Sequence, residues 1–138
     1  MQVASDLYEN LPDAIRYLSD FDLLRWHGNL AEGASTPYLY VAEAGTVFAG
    51  HIEHNLLPSV NVVVAGSGSK TWVVIPHNQL DDMQTLLNQH GMSLAERNVV
   101  ITPAMLQERG IQHHTIRQCK GICITIDCAS CTALLNSV

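Results

Sequence analysis

Thr46-Val47-Phe48-Ala49-Gly50-His51-Ile52-Glu53 is the stretch on which the fold turns. Thr46, Val47 and Phe48 are β-branched or aromatic, types that suit a pleated, half-buried backbone, and Glu43-Ala44-Gly45 before them has the chemistry of a turn. At the far end an imidazole and a carboxylate, His51 and Glu53, stand two positions apart. On a strand such residues share a face with Cα atoms about 7 Å apart. Both side chains can therefore reach one ion at the roughly 2.0–2.2 Å that nitrogen and oxygen ligands adopt. That is part of a 2-His-1-carboxylate triad, the arrangement that holds non-haem Fe(II) and leaves positions open for other ligands. Alone the pair has little weight, because seven histidines and thirteen acidic residues in 138 positions place about 0.7 such pairs by chance.

Working outward, Tyr38-Leu39-Tyr40-Val41 reads as a strand before the turn and Val60-Asn61-Val62-Val63-Val64 as one after it. Gly66-Ser67-Gly68-Ser69 is loop, and Lys70-Thr71-Trp72-Val73-Val74-Ile75 is a strand that Pro76 stops. This half reads as a β-rich meander. Asn78 then offers an N-cap with Asp81 three residues on, and Leu80, Met83, Leu86 and Leu87 draw an apolar stripe up to Gly91, which predicts a helix packed on a sheet. Asn98-Val99-Val100-Ile101-Thr102 is strand-like, Pro103 to Arg109 is a short helix closed by Gly110, and His114 to Arg117 and Ile122 to Ile126 are two more strands. Near the start, Pro12, Ile15, Leu18 and Phe21 predict a short helix over 11–21. Six to eight short strands with a few helices predict a mainly β barrel or sandwich with helical decoration.

Composition sets the outer limits. A chain of 138 residues holds one core, and 47% hydrophobic against 14% charged residues is enough apolar surface to fold it. The net charge is −6 and the seven basic residues are scattered, so autonomous nucleic-acid binding is not expected. No apolar stretch approaches the roughly 18 residues of a membrane span, and Asp6 and Glu9 stand where a secretory signal carries positive charge. Cys119, Cys123, Cys128 and Cys131 would close only short loops, which points to a reducing, intracellular setting. Cys128-x-x-Cys131 has the spacing of a zinc knuckle, but Cys119 and Cys123 straddle a predicted strand start, and free buried thiols acting as small apolar side chains are the expectation.

Taken in order, Thr36-Pro37-Tyr38-Leu39-Tyr40-Val41, Thr46 to Glu53, Ser59-Val60-Asn61 and Gly68 to Pro76 resemble the core of the JmjC (Jumonji C) domain family. Ile101 to Leu106, Arg109-Gly110-Ile111 and Thr115 to Gln118 resemble its later segments, so the similarity is collinear from about Thr36 to Ile126. Within the family the likeness is greatest to histone lysine demethylases. The resemblance implies a double-stranded β-helix of the cupin type, filling 36–138, with 1–35 as a helical and loop segment packed on it in a single domain over 1–138. It implies Fe(II) and the co-substrate 2-oxoglutarate, with His51 and Glu53 on the first two iron-ligand positions, Asn61 and Lys70 reaching 2-oxoglutarate, and Phe48 and Trp72 on its pocket wall. Tyr38 and Tyr40 match positions on the peptide-substrate side. A dicarboxylate chelating a metal at one end needs a cation for its far carboxylate, and Lys70 is the only basic residue between Arg25 and Arg97. The implied partner is a histone tail or another peptide, the implied compartment the nucleus, and the implied reaction oxidative demethylation of an N-methyl-lysine.

The pattern breaks at the third ligand. The family's second histidine position falls on Thr132, with Cys131 as its neighbour, and no histidine follows His114. Losing even a residue that supports a ligand costs about 10–100-fold in metal affinity, and losing a ligand costs at least as much. Three explanations compete: a degenerate domain kept for binding or scaffolding in chromatin; another donor, from Cys131, His113 or His114; or a chain that ends early at Val138. Whether the protein is an enzyme stays open on the sequence, the family favouring a dioxygenase and the missing histidine a pseudoenzyme.

Overall fold

A computed structural model describes residues 37–53, 57–127 and 130–137, and the helix expected over 11–21 lies outside them. The chain divides into two units, Met1–Val41 and Ala42–Val138. Within the second, the strands are β1 (Val47–Ile52), β2 (Ser59–Val62), β3 (Ser69–Ile75), β4 (His114–Gln118), β5 (Cys123–Ile126) and β6 (Cys131–Ser137). Between β3 and β4 lie the helices α1 (Leu80–Gln89) and α2 (Pro103–Glu108), with single 3-10 turns at His77–Gln79 and Leu94–Glu96.

β3 explains the architecture. Its alternate residues are apolar on both sides, Trp72 and Val74 on one face and Val73 and Ile75 on the other, so it must be covered twice. The strands accordingly form two antiparallel sheets, a four-stranded one in the order β1-β6-β3-β4 and a two-stranded one pairing β2 with β5. The expected meander is therefore not what forms: among the described strands β3 and β4 alone are neighbours in both chain and sheet, because a meander with one solvated face would leave half of β3 bare. The chain instead passes back and forth between two facing sheets, the rolled topology of a cupin-type double-stranded β-helix.

Two cores result. On one face of the four-stranded sheet, Val73, Ile75, Cys131 and Ala133 pack with Met83, Leu86 and Leu87 of α1, Leu106 of α2, and Leu94, Val99, Ile101 and Ile111. On the other, Trp72 packs with Ile124 and Ile126 of β5, and half-buried Phe48 and Val74 join them. The helix stripe read from the sequence is the stripe that α1 buries. Its start differs, since Asn78 sits inside the 3-10 turn and no side chain caps α1. Thr102 does cap α2, accepting a hydrogen bond from the Met105 amide at 3.3 Å.

Two expected strands do not form. Tyr38 to Val41 is exposed and belongs to neither sheet. Asn98 to Thr102 alternates as a strand does, with Val99 and Ile101 buried and Val100 exposed, but it is not part of a ladder. Its Val99 carbonyl accepts a hydrogen bond from the Gly50 amide at 2.7 Å. Strand propensity describes a side chain suited to a half-buried surface, and a ladder also needs a partner edge in register.

Candidate functional site

The site begins with an irregularity in β1. Phe48 lies opposite Leu134 and His51 opposite Thr132, so β1 spends three steps where β6 spends two. One residue is extra, which is a β-bulge. Without it Phe48 and His51, three apart, would face opposite ways; with it both face the two-stranded sheet. Gly50 in this irregular stretch lets β1 pass close to Ile101, because a Cβ there would collide with the Ile101 side chain.

The bulge also sets the chemistry of His51. Its Nδ1 donates to the Ala49 carbonyl at 2.8 Å, and since a carbonyl only accepts, the proton sits on Nδ1. Nε2 is left as the basic nitrogen, 4.0 Å from Glu53 Oε1, with the two side chains 16% and 30% exposed. A backbone carbonyl holding the remote nitrogen of an imidazole is the usual support of a metal-ligating histidine. His51 and Glu53 are thus brought together as donors.

The third position is read from the register. Thr132 lies opposite both His51 and Val74, and Val74 lies opposite His114, so one row of the sheet runs His51, Thr132, Val74, His114. Directly opposed residues share a face. Thr132, 2% exposed, is therefore the residue beside His51 on the inner face. The alternative donors are placed elsewhere. Cys131 lies opposite Ile52 and Ile75, faces the helical core and is fully buried. Burial pushes its thiol up to about 12, against a hydrogen bond with the His51 backbone that lowers it, so it offers no thiolate near neutral pH. His114 shares the row but stands three strands from His51, about 14 Å at the usual spacing. His113 bonds the Ile111 carbonyl at 3.0 Å and points to the opposite face from its neighbour. Among the described residues no three His, Cys, Asp or Glu side chains converge. The residues present supply an imidazole, a carboxylate and a neutral hydroxyl, which does not fit a 2-His-1-carboxylate iron site. The expectation of buried free thiols holds for Cys131 alone among the described cysteines, as Cys119 and Cys123 are free but exposed.

Deeper in the roll is the second half of the site. Lys70 and Trp72 face inward from β3, and Lys70 Nζ donates to Asn61 Oδ1 of β2 at 3.3 Å. Lys70 is half-buried and desolvation holds its ammonium below the ordinary lysine value. The Trp72 indole donates to Gln118 Oε1 at 2.8 Å, and the Gln118 amide donates to the Asn61 and Ile122 carbonyls, each at 2.9 Å. Sequence reasoning used Gln118 only as part of a matching segment; a polar residue closing an alternating strand, next to a turn, was the available signal. Tyr38 and Tyr40 belong to the other unit, where their rings meet edge to face with centroids 5.9 Å apart.

A cavity of about 360 Å³ lies beside this site instead of in it, lined by Ile52, Glu53, Gln84, Leu94, Ala95 and Arg97. Glu53 borders both.

The JmjC domain family, described as JmjC domain, hydroxylase, matches residues 38–135. The chain is 32% identical over 102 residues to probable lysine-specific demethylase 4F of Homo sapiens, covering 68% of this chain and 16% of that protein. It is 33% identical over 102 residues to lysine-specific demethylase 4D of Rattus norvegicus, covering 68% and 20%. Lysine-specific demethylase JMJ705 of Oryza sativa subsp. japonica is 30% identical over 100 residues, covering 64% and 8%. The chain therefore spans a fifth or less of the length of these relatives. With a family match across most of the chain, laid on two facing antiparallel sheets of the cupin type, this chain belongs to the JmjC domain family.

Proposed function

We propose that this chain is the JmjC module of a histone-lysine-demethylase-like protein, one that keeps the anion-binding half of an Fe(II)/2-oxoglutarate oxygenase site and is impaired in the metal-binding half. Lys70 supplies the point charge for the far carboxylate of 2-oxoglutarate and Asn61 a second polar contact, while Phe48 and Trp72 wall the pocket. His51 and Glu53 are the two remaining metal donors, and Tyr38 and Tyr40 match the family's positions for peptide-substrate contact. The partner is a lysine-methylated histone tail or a similar peptide, and the setting is nuclear chromatin. Iron and the co-substrate, where bound, would supply the oxidation of an N-methyl carbon.

The observation that carries this reading is the register that sets the Thr132 hydroxyl, not a third strong donor, beside His51. The same observation favours a second reading, a non-catalytic interaction module. Calorimetry with Mn(II) and 2-oxoglutarate tests both. Metal binding by the native chain should be weak and should tighten by about 10–100-fold in Thr132→His, with His51→Ala abolishing it. Micromolar metal binding by the native chain, unchanged in Thr132→His, would refute impairment. His51-dependent formaldehyde release from a methylated histone peptide separates the oxygenase from the module.

A further inference from the structure

We infer that Gln118 is a positioning residue for the Lys70 and Asn61 pair, locking the anion-binding corner by tying three chain segments to one side-chain amide. Gln118 ends β4 facing inward, directly opposite Lys70 of β3, and is completely buried. Its hydrogen bonds admit one orientation. The Trp72 indole only donates, so it must meet Oε1; the Asn61 and Ile122 carbonyls only accept, so they must meet the two N–H groups. A flipped amide would break all three.

The three partners lie on β3, on β2 and just before β5, so the amide joins the four-stranded sheet to both edges of the two-stranded one. The neighbouring turn braces the same corner: Ile122 N donates to the Cys119 carbonyl at 3.0 Å and Gly121 N to the Val63 carbonyl at 2.8 Å. Gly121 takes a φ of +81°, which a side chain would resist. Lys70 has a flexible four-carbon stem, so its ammonium goes where its partners hold it. It bonds the Asn61 side chain, and Gln118 holds the Asn61 main chain. Displacing the amide therefore moves the acceptor that aims the ammonium.

This rests on the reading above that Lys70 and Asn61 take the far carboxylate of 2-oxoglutarate. The test compares 2-oxoglutarate with 2-oxobutyrate, which has the same keto acid end and no second carboxylate, by ligand-observed NMR on the native chain, Gln118→Met and Gln118→Asn. The native chain should favour the dicarboxylate by about tenfold or more, the worth of one charge-assisted hydrogen bond. Each variant should lose that preference while its affinity for 2-oxobutyrate and its cooperative unfolding persist. A merely structural role would weaken both ligands together. A folded variant that keeps the preference overturns the inference.

If the native chain binds neither ligand, the 2-oxoglutarate reading fails and the positioning role is judged separately. Lys70 and Lys120 are the only lysines, so 13C-labelled lysine resolves each ammonium. In the native chain Lys70 should titrate below the ordinary lysine value, and in either Gln118 variant it should move up towards that value as the side chain leaves its half-buried place. A Lys70 titration unchanged in both variants overturns the inference.

Discussion

Cys131 and Thr132 are adjacent in the chain and serve opposite faces of one strand, so each has a different liability. Cys131 is held neutral by the core, with its thiol pushed up to about 12 from an ordinary 9.0. Between those values the unfolded chain has released the proton and the native chain keeps it, so stability falls as pH rises across that window and is undiminished below it. Chemical denaturation at about pH 8 and about pH 10.5 should show this slope, and Cys131→Ala should remove it. Lys70 contributes with the opposite sign, because burial favours its neutral form and stability recovers as pH rises through its lowered value. The comparison is therefore best made in Lys70→Met, which should also melt no lower than the native protein while losing its preference for a dicarboxylate. Alkylation under native conditions should label Cys119 and Cys123 and spare Cys131 until the protein unfolds.

At the scale of elements, β1 is the least regular strand and the most consequential. Its bulge turns Phe48 and His51 to the same side and supplies the Ala49 carbonyl that accepts from the imidazole, and Gly50 within it passes close to Ile101. Gly50→Ala should cost about 1–3 kcal/mol by overpacking. Adding Ile101→Ala should recover part of that loss, a non-additivity that a double-mutant cycle in denaturant reads directly. α1 contributes through its buried stripe, since it starts without a side-chain cap. Leu87→Ala should therefore cost about 2–5 kcal/mol, whereas loss of the Thr102 cap on α2 should cost about 1 kcal/mol.

For the molecule as a whole, the decisive event is the facing of two sheets across Trp72, Ile124 and Ile126, with the helices on the far side of the larger sheet. Much of this was legible beforehand. Local pattern marked β2 to β5 to within a few residues and the apolar stripe marked α1, while the collinear family motifs nominated His51, Glu53, Asn61, Lys70 and Trp72 as candidates and set Thr132 at the third-ligand position. Pattern also suggested strands at Tyr38 to Val41 and Asn98 to Thr102, where the residue types suit a sheet but no ladder forms. What the chain alone determined is which segments have a two-residue or a 3.6-residue period, because that follows from side-chain chemistry along a few consecutive positions. Which strands pair, which way His51 turns after its bulge, why Cys131 and not Thr132 is lost to the helical core, and that Gln118 joins the sheets were decided only by tertiary structure. Those outcomes depend on residues tens of positions apart competing to bury both faces of β3 and to satisfy every enclosed polar group, a condition that no local stretch contains.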